Sequence, residues 1–252
     1  MKRALAKNTI KLIERFINEY CISFMSRNQG KFYHIITDPP YGIDMDMLNQ
    51  GNDGHAFKDV DTVEAEHTVQ GNEELFTKLF PAAYNSIKEN GFFILWCDIM
   101  QWQRLYDCAI ASGFKVQRWP ITWVKLHRCM NQSAQFNFTK STEIAMICRK
   151  GNTTLIAPEA TCHILESHDD FKETLGHPFV KPFNVWKRLI EAVSIEGQIL
   201  YEPFAGRGSM PISALRLNRN IIATESNTAH YNALLCNLQN HYLSINPSFT
   251  FV

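Results

Sequence analysis

The first residues of chemical interest are Asp38-Pro39-Pro40-Tyr41, which follow the apolar run Phe32–Thr37. That run predicts a buried strand, and open α/β sheets bind ligands at the carboxyl ends of their strands. Two prolines restrict the backbone, so a carboxylate, a carbonyl and an aromatic ring are presented in fixed geometry. Acceptors at Asp38 and the Pro39 carbonyl would make the nitrogen of a planar aromatic amine more nucleophilic, with Tyr41 stacked on its ring. An ordinary turn is the alternative interpretation.

A second motif, EPFAGRGS at Glu202–Ser209, follows the apolar run Gln198–Tyr201 and precedes a predicted helix. Its glycines allow a ligand to approach the backbone closely at a helix N-terminus. The next predicted strand, Asn220–Thr224, leads to Glu225, where an acid is placed to accept hydrogen bonds from both hydroxyls of a ribose. The pattern implies a nucleoside-containing cofactor, and the missing third glycine of G-x-G-x-x-G argues against NAD. A solvated carboxylate at a strand end is the other interpretation of Glu225.

The elements that must position these motifs alternate short apolar runs with amphipathic stretches, which is typical of an α/β sheet protein. The predicted strands are Phe32–Thr37, Gly91–Cys97, Val116–Val124, Ile144–Cys148, Gln198–Tyr201 and Asn220–Thr224. The predicted helices are Glu73–Asn90, Met100–Ser112, Phe183–Ile195, Met210–Asn218 and Thr228–Asn240, with a further amphipathic helix in the first twenty residues. These patterns predict a Rossmann-like α/β fold.

Two segments do not follow either period. Gly42–Gly71 is acidic and polar and is expected to form a long loop with a function. Asn152–Gly176 is irregular, and no secondary structure is assigned to it.

Composition limits the class of protein. A chain of 252 residues with 45% hydrophobic content can bury the core of one large domain. No signal peptide and no run of roughly 18 apolar residues is found, so we expect a cytoplasmic protein with no membrane segment. The seven cysteines are scattered without a C-x-x-C pair, and the nine histidines show no ligand spacing, so neither a disulfide framework nor a metal site is expected.

The charges are unevenly distributed although the formal net charge is zero. Asp38–Glu74 carries ten acids against one base, whereas Lys115–Lys150 carries seven bases against one acid, Glu143. Any nucleic acid is expected to meet the basic stretch. The residues expected to contact it there are Trp123, Lys125, Arg128 and Lys140, although a solvated face and core packing are the other interpretations of these side chains.

Taken in order, the motifs resemble those of the DNA amino-methyltransferases in their β arrangement, in which the catalytic motif precedes the cofactor motif. Asp38–Tyr41 resembles the D-P-P-Y of that family, and Phe204–Gly208 resembles its F-x-G-x-G. The remaining similar segments are Gly91–Asp98, Thr122–Lys125, Thr142–Gly151 and His177–Pro182, the last resembling H-P-x-x-K-P. The resemblance covers most of the chain.

The resemblance implies one domain over residues 1–252 with a circularly permuted motif order. Its catalytic half covers about 30–150, a short recognition segment 152–176, and its cofactor half about 177–240. The implied reaction is methyl transfer from S-adenosylmethionine to N6 of a flipped-out adenine in DNA, without a metal. The catalytic residues would be Asp38, Pro39, Pro40 and Tyr41. The cofactor would contact Asp38, His177, Lys181, Glu202, Phe204, Gly206, Gly208, Ser209 and Glu225.

The sequence departs from the family pattern in three places. Glu202 replaces the usual Asp, and Arg207-Gly208-Ser209 replaces the common Ser-Gly-Thr. Ser26–Tyr33 lacks the Gly-Asp pair that usually holds the cofactor adenine, and little chain is left for target recognition. Cytosine N4, an RNA base, a protein amide and a non-catalytic nucleic-acid-binding module therefore stay open as alternatives, and so does a homodimer or partner protein.

Overall fold

The computed structural model describes residues 14–40, 69–126, 135–136, 138–157, 160–166, 175 and 180–245, with the backbone alone for 69–73, 166 and 241–245. The strands in these ranges are β1 (Phe16–Asn18), β2 (Phe32–Thr37), β3 (Ile87–Cys97), β4 (Lys115–Val116), β5 (Ile121–Lys125), β6 (Thr142–Arg149), β7 (His163–Glu166), β8 (Ile199–Glu202) and β9 (Asn220–Glu225). The helices are α1 (Cys21–Ser26), α2 (Val69–Ser86), α3 (Trp102–Ala111), α4 (Phe183–Val193), α5 (Ser209–Arg216) and α6 (Thr228–Ile245), with a 3-10 turn at Ile99–Gln101.

All of these strands form one sheet in the order β1-β9-β8-β2-β3-β6-β5-β7, with β4 paired to β6. The first five strands of this order, β1, β9, β8, β2 and β3, are parallel to one another. β6 is antiparallel to its neighbours β3, β4 and β5. The central pair joins β2 to β8, with His34 aligned to Leu200. Because β2, β8, β9 and β3 are parallel, their carboxyl ends lie at one edge of the sheet.

Helices cover both faces of the sheet. Successive side chains of a strand point to opposite faces, and in the central strands both sets of side chains are apolar and must be buried. In β3, Ile94 and Trp96 belong to one buried cluster with α4, α5 and α6. Phe93 and Leu95 belong to the opposite cluster with α1, α2 and α3. This arrangement confirms the α/β, Rossmann-like fold predicted from the sequence.

Several element predictions are confirmed at or near their bounds. The strand at Phe32–Thr37 is found as predicted, and the predicted helices after β3, before β8 and after β8 and β9 are present. The predicted helix ending at Asn90 instead ends at Ser86, because Ile87 is buried and already pairs with Phe32 in β3.

Other predictions were wrong. The first twenty residues do not form one helix, because Phe16–Asn18 is a strand paired with β9; residues 1–13 lie outside the described part. The single strand predicted at Val116–Val124 is divided into β4 and β5 on either side of Pro120, which has no N–H to donate.

Most of Gly42–Gly71 lies outside the described residues, so the long loop expected there stays a prediction. No helix in the described ranges is long and apolar enough to span a membrane.

Candidate active site

Asp38 directly follows β2 at the edge where the parallel strands end. The chain between β7 and α4 brings Lys181 to this point, and its Nζ donates a hydrogen bond to Asp38 Oδ2. Lys181 is 3% exposed, whereas the side chain of Asp38 is 29% exposed, so the cation is buried and the carboxylate reaches the cavity. A buried cation of this kind depends on keeping its partners.

A second carboxylate holds the same ammonium group. Glu143 Oε2, from the start of β6, lies 3.2 Å from Lys181 Nζ, and Glu143 Oε1 pairs with Lys125 Nζ. Burial alone would raise the pKa of Glu143, but Lys181 and Lys125 outweigh it and lower that pKa to about 2. Burial likewise opposes the charge of Lys181, yet Asp38 and Glu143 raise its pKa above the ordinary value. These shifts favour the charged forms of both Glu143 and Lys181.

Aromatic rings form the wall behind this cluster. Lys181 Nζ lies 4.9 Å from the centre of the Trp96 ring, a distance at which a cation is attracted to the ring face. Trp96 packs edge-on against both Trp123 and Trp186. The Nε1 atom of Trp186 donates to Ser209 Oγ at 3.2 Å, which ties this wall to the first turn of α5.

Glu202 ends β8 next to Asp38, as the pairing of β2 with β8 requires. Its Oε1 accepts hydrogen bonds from Thr37 Oγ1 and from the backbone N–H of Phe204 at 3.0 Å. Glu202 is 1% exposed, and burial raises its pKa well above the usual range. Burial therefore favours the protonated form of this carboxyl group.

The glycine loop between β8 and α5 is held by Glu225 at the end of the neighbouring strand β9. Glu225 Oε2 accepts the N–H of Gly206 at 2.8 Å, and Oε1 accepts the N–H of Asn227 at 2.9 Å. The loop conformation itself requires glycine at Gly208, whose φ is +97° and whose added Cβ would lie 2.5 Å from Leu234 Cδ1.

A cavity of about 190 Å³ joins the two motifs. Six of the residues predicted to form the site line it, namely Asp38, Lys181, Glu202, Phe204, Gly206 and Ser209. The wall also contains residues to which the sequence analysis gave no role, namely Val180, Trp186, Ala205, Arg207, Met210 and His230. A Cβ added to Gly206 would meet no atom within 4 Å, so this backbone is open to a ligand as a nucleotide-binding loop requires.

Other predicted residues lie elsewhere or outside the described part. Tyr41, Arg128 and His177 are outside the described residues, so their roles stay predictions. Pro39 and Pro40 follow Asp38 at the sheet edge. Gly208 and Glu225 shape and anchor the loop, and Glu225 as a ribose acceptor stays a prediction.

The prediction for Trp123 needs correction. Its side chain is 2% exposed and packs edge-on against Trp96 in the core. A ring packed in this way has no accessible face for a base to stack on, so we do not propose it as a DNA contact. Lys125 is engaged by Glu143, and Lys140, which is 67% exposed, lies 3.4 Å from Asp98 Oδ2. Phosphate contact by these two lysines stays a prediction.

Glu143 is the residue that sequence reasoning missed. The available signal was its position as the single acid among seven bases in Lys115–Lys150, placed at the start of an apolar strand. No group of three or more metal-ligating side chains occurs in the part of the chain that the structure describes.

Comparison with known proteins identifies the family. The family model described as DNA methylase matches residues 32–235, more than half of the chain. The Type II methyltransferase M2.DpnII of Streptococcus pneumoniae is 26% identical over 213 residues, 76% of each chain. The Type II methyltransferase M.HindIII of Haemophilus influenzae is 45% identical over 56 residues, only 22% of this chain and 18% of that protein's length.

Solved structures show the same fold. The M1.HpyAVI–SAM complex has a TM-score of 0.68 at 20% identity and covers 88% of this chain and 98% of that one. The cytosine-N4-specific PvuII DNA methyltransferase has a TM-score of 0.66 at 10% identity, covering 93% of each chain.

Proposed function

The chain belongs to the DNA methylase family, and from this membership we propose that it transfers the methyl group of S-adenosylmethionine to N6 of adenine in DNA. The observation that carries the proposal is the shared cavity. Asp38 of the catalytic motif and Gly206 of the cofactor motif line the same space, although they lie far apart in the sequence. The complex of M1.HpyAVI with SAM, which has the same fold, supports the choice of cofactor.

S-adenosylmethionine supplies an electrophilic methyl group on a sulfonium ion. The chain's own residues act on the amine that receives it. Asp38 accepts a hydrogen bond from the exocyclic N–H, and the Pro39 carbonyl accepts the second, which favours a nitrogen with an available lone pair. The base must leave the duplex to reach these acceptors, and Tyr41 stacks on its ring. Gly206 and Ser209 hold the cofactor side of the cavity.

Asp at the first position of the tetrapeptide is the reason for proposing adenine over cytosine, since cytosine-N4 relatives more often begin it with Ser. Lys140 and Arg128 are proposed to contact DNA phosphates. The acidic stretch Gly42–Gly71 would repel phosphates if it lay along the duplex. We therefore assign it to closure over the flipped base or to contact with a protein, including a second copy of this chain.

The test is to incubate the protein with DNA and labelled cofactor, digest the DNA to nucleosides and identify the product by mass. We expect N6-methyl-2′-deoxyadenosine. N4-methyl-2′-deoxycytidine would correct the target base, and binding of the cofactor without any methylated nucleoside would contradict an enzymatic function.

Asp38→Ala is expected to abolish transfer while the dissociation constant for S-adenosylmethionine stays within roughly tenfold, since the carboxylate acts on the target amine. Asp107→Ala is the matched control, because Asp107 is exposed on α3 and accepts a hydrogen bond from Gln103 of the same helix. Turnover retained by Asp38→Ala would refute the assignment.

A further inference from the structure

Lys181, which the family resemblance predicts to contact the cofactor, is engaged by two carboxylates. Its ammonium group is buried and touches two carboxylates that come from different strands, Asp38 after β2 and Glu143 in β6. A buried ion pair is a costly way to gain stability, because apolar residues of similar volume often serve as well or better. A cluster of this kind next to the catalytic motif calls for a functional explanation.

We propose that Lys181 and Glu143 are positioning residues that hold the Asp38 carboxylate in place and ionised for methyl transfer. The proposal rests on the proposed function of Asp38. Lys181 holds Oδ2 and so restrains the Asp38 carboxylate where it lines the cavity. Glu143 acts through Lys181, because its Oε2 contacts the same ammonium group at 3.2 Å.

The charges around Asp38 decide what happens when Lys181 is removed. Glu202 on β8 and Cys97 on β3 also face Asp38, and burial raises the pKa of both, that of Cys97 to about 12, which favours their uncharged forms. Arg207 and His230 line the same cavity. Asp98, at the end of β3, is paired with Lys140.

Without Lys181, Asp38 loses the cation that its Oδ2 pairs with, while Glu143 keeps its contact with Lys125. An opposite charge at this range favours the ionised form of a carboxyl group, so its removal favours protonation of Asp38. Since the ionised form is the acceptor, activity is then lost on the acid side at a higher pH. The carboxylate also loses a contact that restrains it, and a displacement of about 1 Å can cost a hundredfold in rate.

The experiment compares Lys181→Met, Glu143→Gln and the double variant with the wild type. Lys78→Met is the matched control, because Lys78 pairs with Glu74 on the exposed face of α2, away from the cavity. The measurements are kcat between pH 3.5 and 9, KM for DNA, the dissociation constant for S-adenosylmethionine, and thermal unfolding at each pH to confirm that each variant is folded.

Lys181→Met is expected to lower kcat at pH 7.5 by about 10- to 100-fold and to move the acid limb of the profile up by about 1 to 3 pH units. Glu143→Gln, which has the same shape, is expected to lower kcat by about tenfold with cofactor affinity within about twofold. Adding Glu143→Gln to Lys181→Met should have no further effect on kcat, because Glu143 acts through Lys181.

The proposal would be overturned if, in Lys181→Met, the acid limb of the kcat–pH profile did not move and cofactor binding was weakened. Lys181 would then be assigned to cofactor binding. An unchanged kcat in Glu143→Gln would overturn the role of Glu143, and this variant decides the matter if Lys181→Met does not fold. Failure of the proposed function is distinguishable, because the wild type itself would then form no methylated nucleoside.

Discussion

Replacing Glu225 by Ala is expected to damage the glycine loop before it affects any ribose contact. Both carboxylate oxygens accept backbone N–H groups, from Gly206 at 2.8 Å and Asn227 at 2.9 Å, and the residue is 8% exposed. Hydrogen bonds to a charged group contribute about 1.5 to 3 kcal/mol each. Because both end on one side chain they are not additive, so we expect Glu225→Ala to lower the free energy of unfolding by about 2 to 4 kcal/mol.

The assay is urea unfolding followed by circular dichroism, run beside calorimetric titration with S-adenosylmethionine. Glu225→Gln is the control, because its side-chain oxygen still accepts one of the two N–H groups. It should lose about half as much stability as the alanine variant.

Cofactor affinity separates the two roles of Glu225. A carboxylate that also accepts the ribose hydroxyls predicts a further loss of about 1 to 3 kcal/mol in binding by folded Glu225→Ala. Stability reduced by less than about 0.5 kcal/mol would refute the anchoring role, and unchanged affinity would assign the ribose contact to another residue.

Three further outcomes are expected. Gly208→Ala should lower the free energy of unfolding by about 2 to 4 kcal/mol in urea, since it combines a φ of +97° with a Cβ placed 2.5 Å from Leu234; a loss below about 1 kcal/mol would show that the loop adapts. Lys140→Ala should flatten the slope of log affinity for DNA against log salt by nearly one unit, and an unchanged slope would remove it from the interface. Burial raises the pKa of Cys97 to about 12, so at pH 8 it should stay a thiol and resist alkylation while exposed Cys236 reacts, as peptide mass mapping would show.

The part of the fold that the sequence predicts well is the part with strong local patterns. FYHIIT is an apolar run bounded by a charged residue and a proline pair, and it forms β2 at the predicted bounds. β7 was missed because Ile164 is buried while His163 and Leu165 are exposed, and because the strand pairs at the sheet edge with β5. β1 was missed because three residues are too few to show a period of two, and they become a strand only through pairing with β9.

The site shows the same division. The order of the motifs was enough to predict that Asp38, Lys181 and Gly206 meet, and all three line one cavity. The physical reason is that parallel strands present their carboxyl ends at the same edge of the sheet. Pairwise contacts could not be predicted in this way. Nothing local to Glu143 indicates that Lys181 will lie beside it, and nothing local to Trp123 distinguishes a core ring from one that contacts a base.

The pairing of β2 with β8 has a consequence for how the chain folds. Thr37 and Glu202 are hydrogen-bonded across 165 residues of sequence, and closing a loop of that length costs about 4 to 5 kcal/mol of chain entropy. Such a contact has to wait until the intervening strands have collapsed, so it forms late in folding. During synthesis, Asp38 leaves the ribosome long before the glycine loop exists. The methyl-transfer centre is therefore assembled only when β8 docks beside β2, and a chain interrupted before β8 carries half of the chemistry with no cavity in which to perform it.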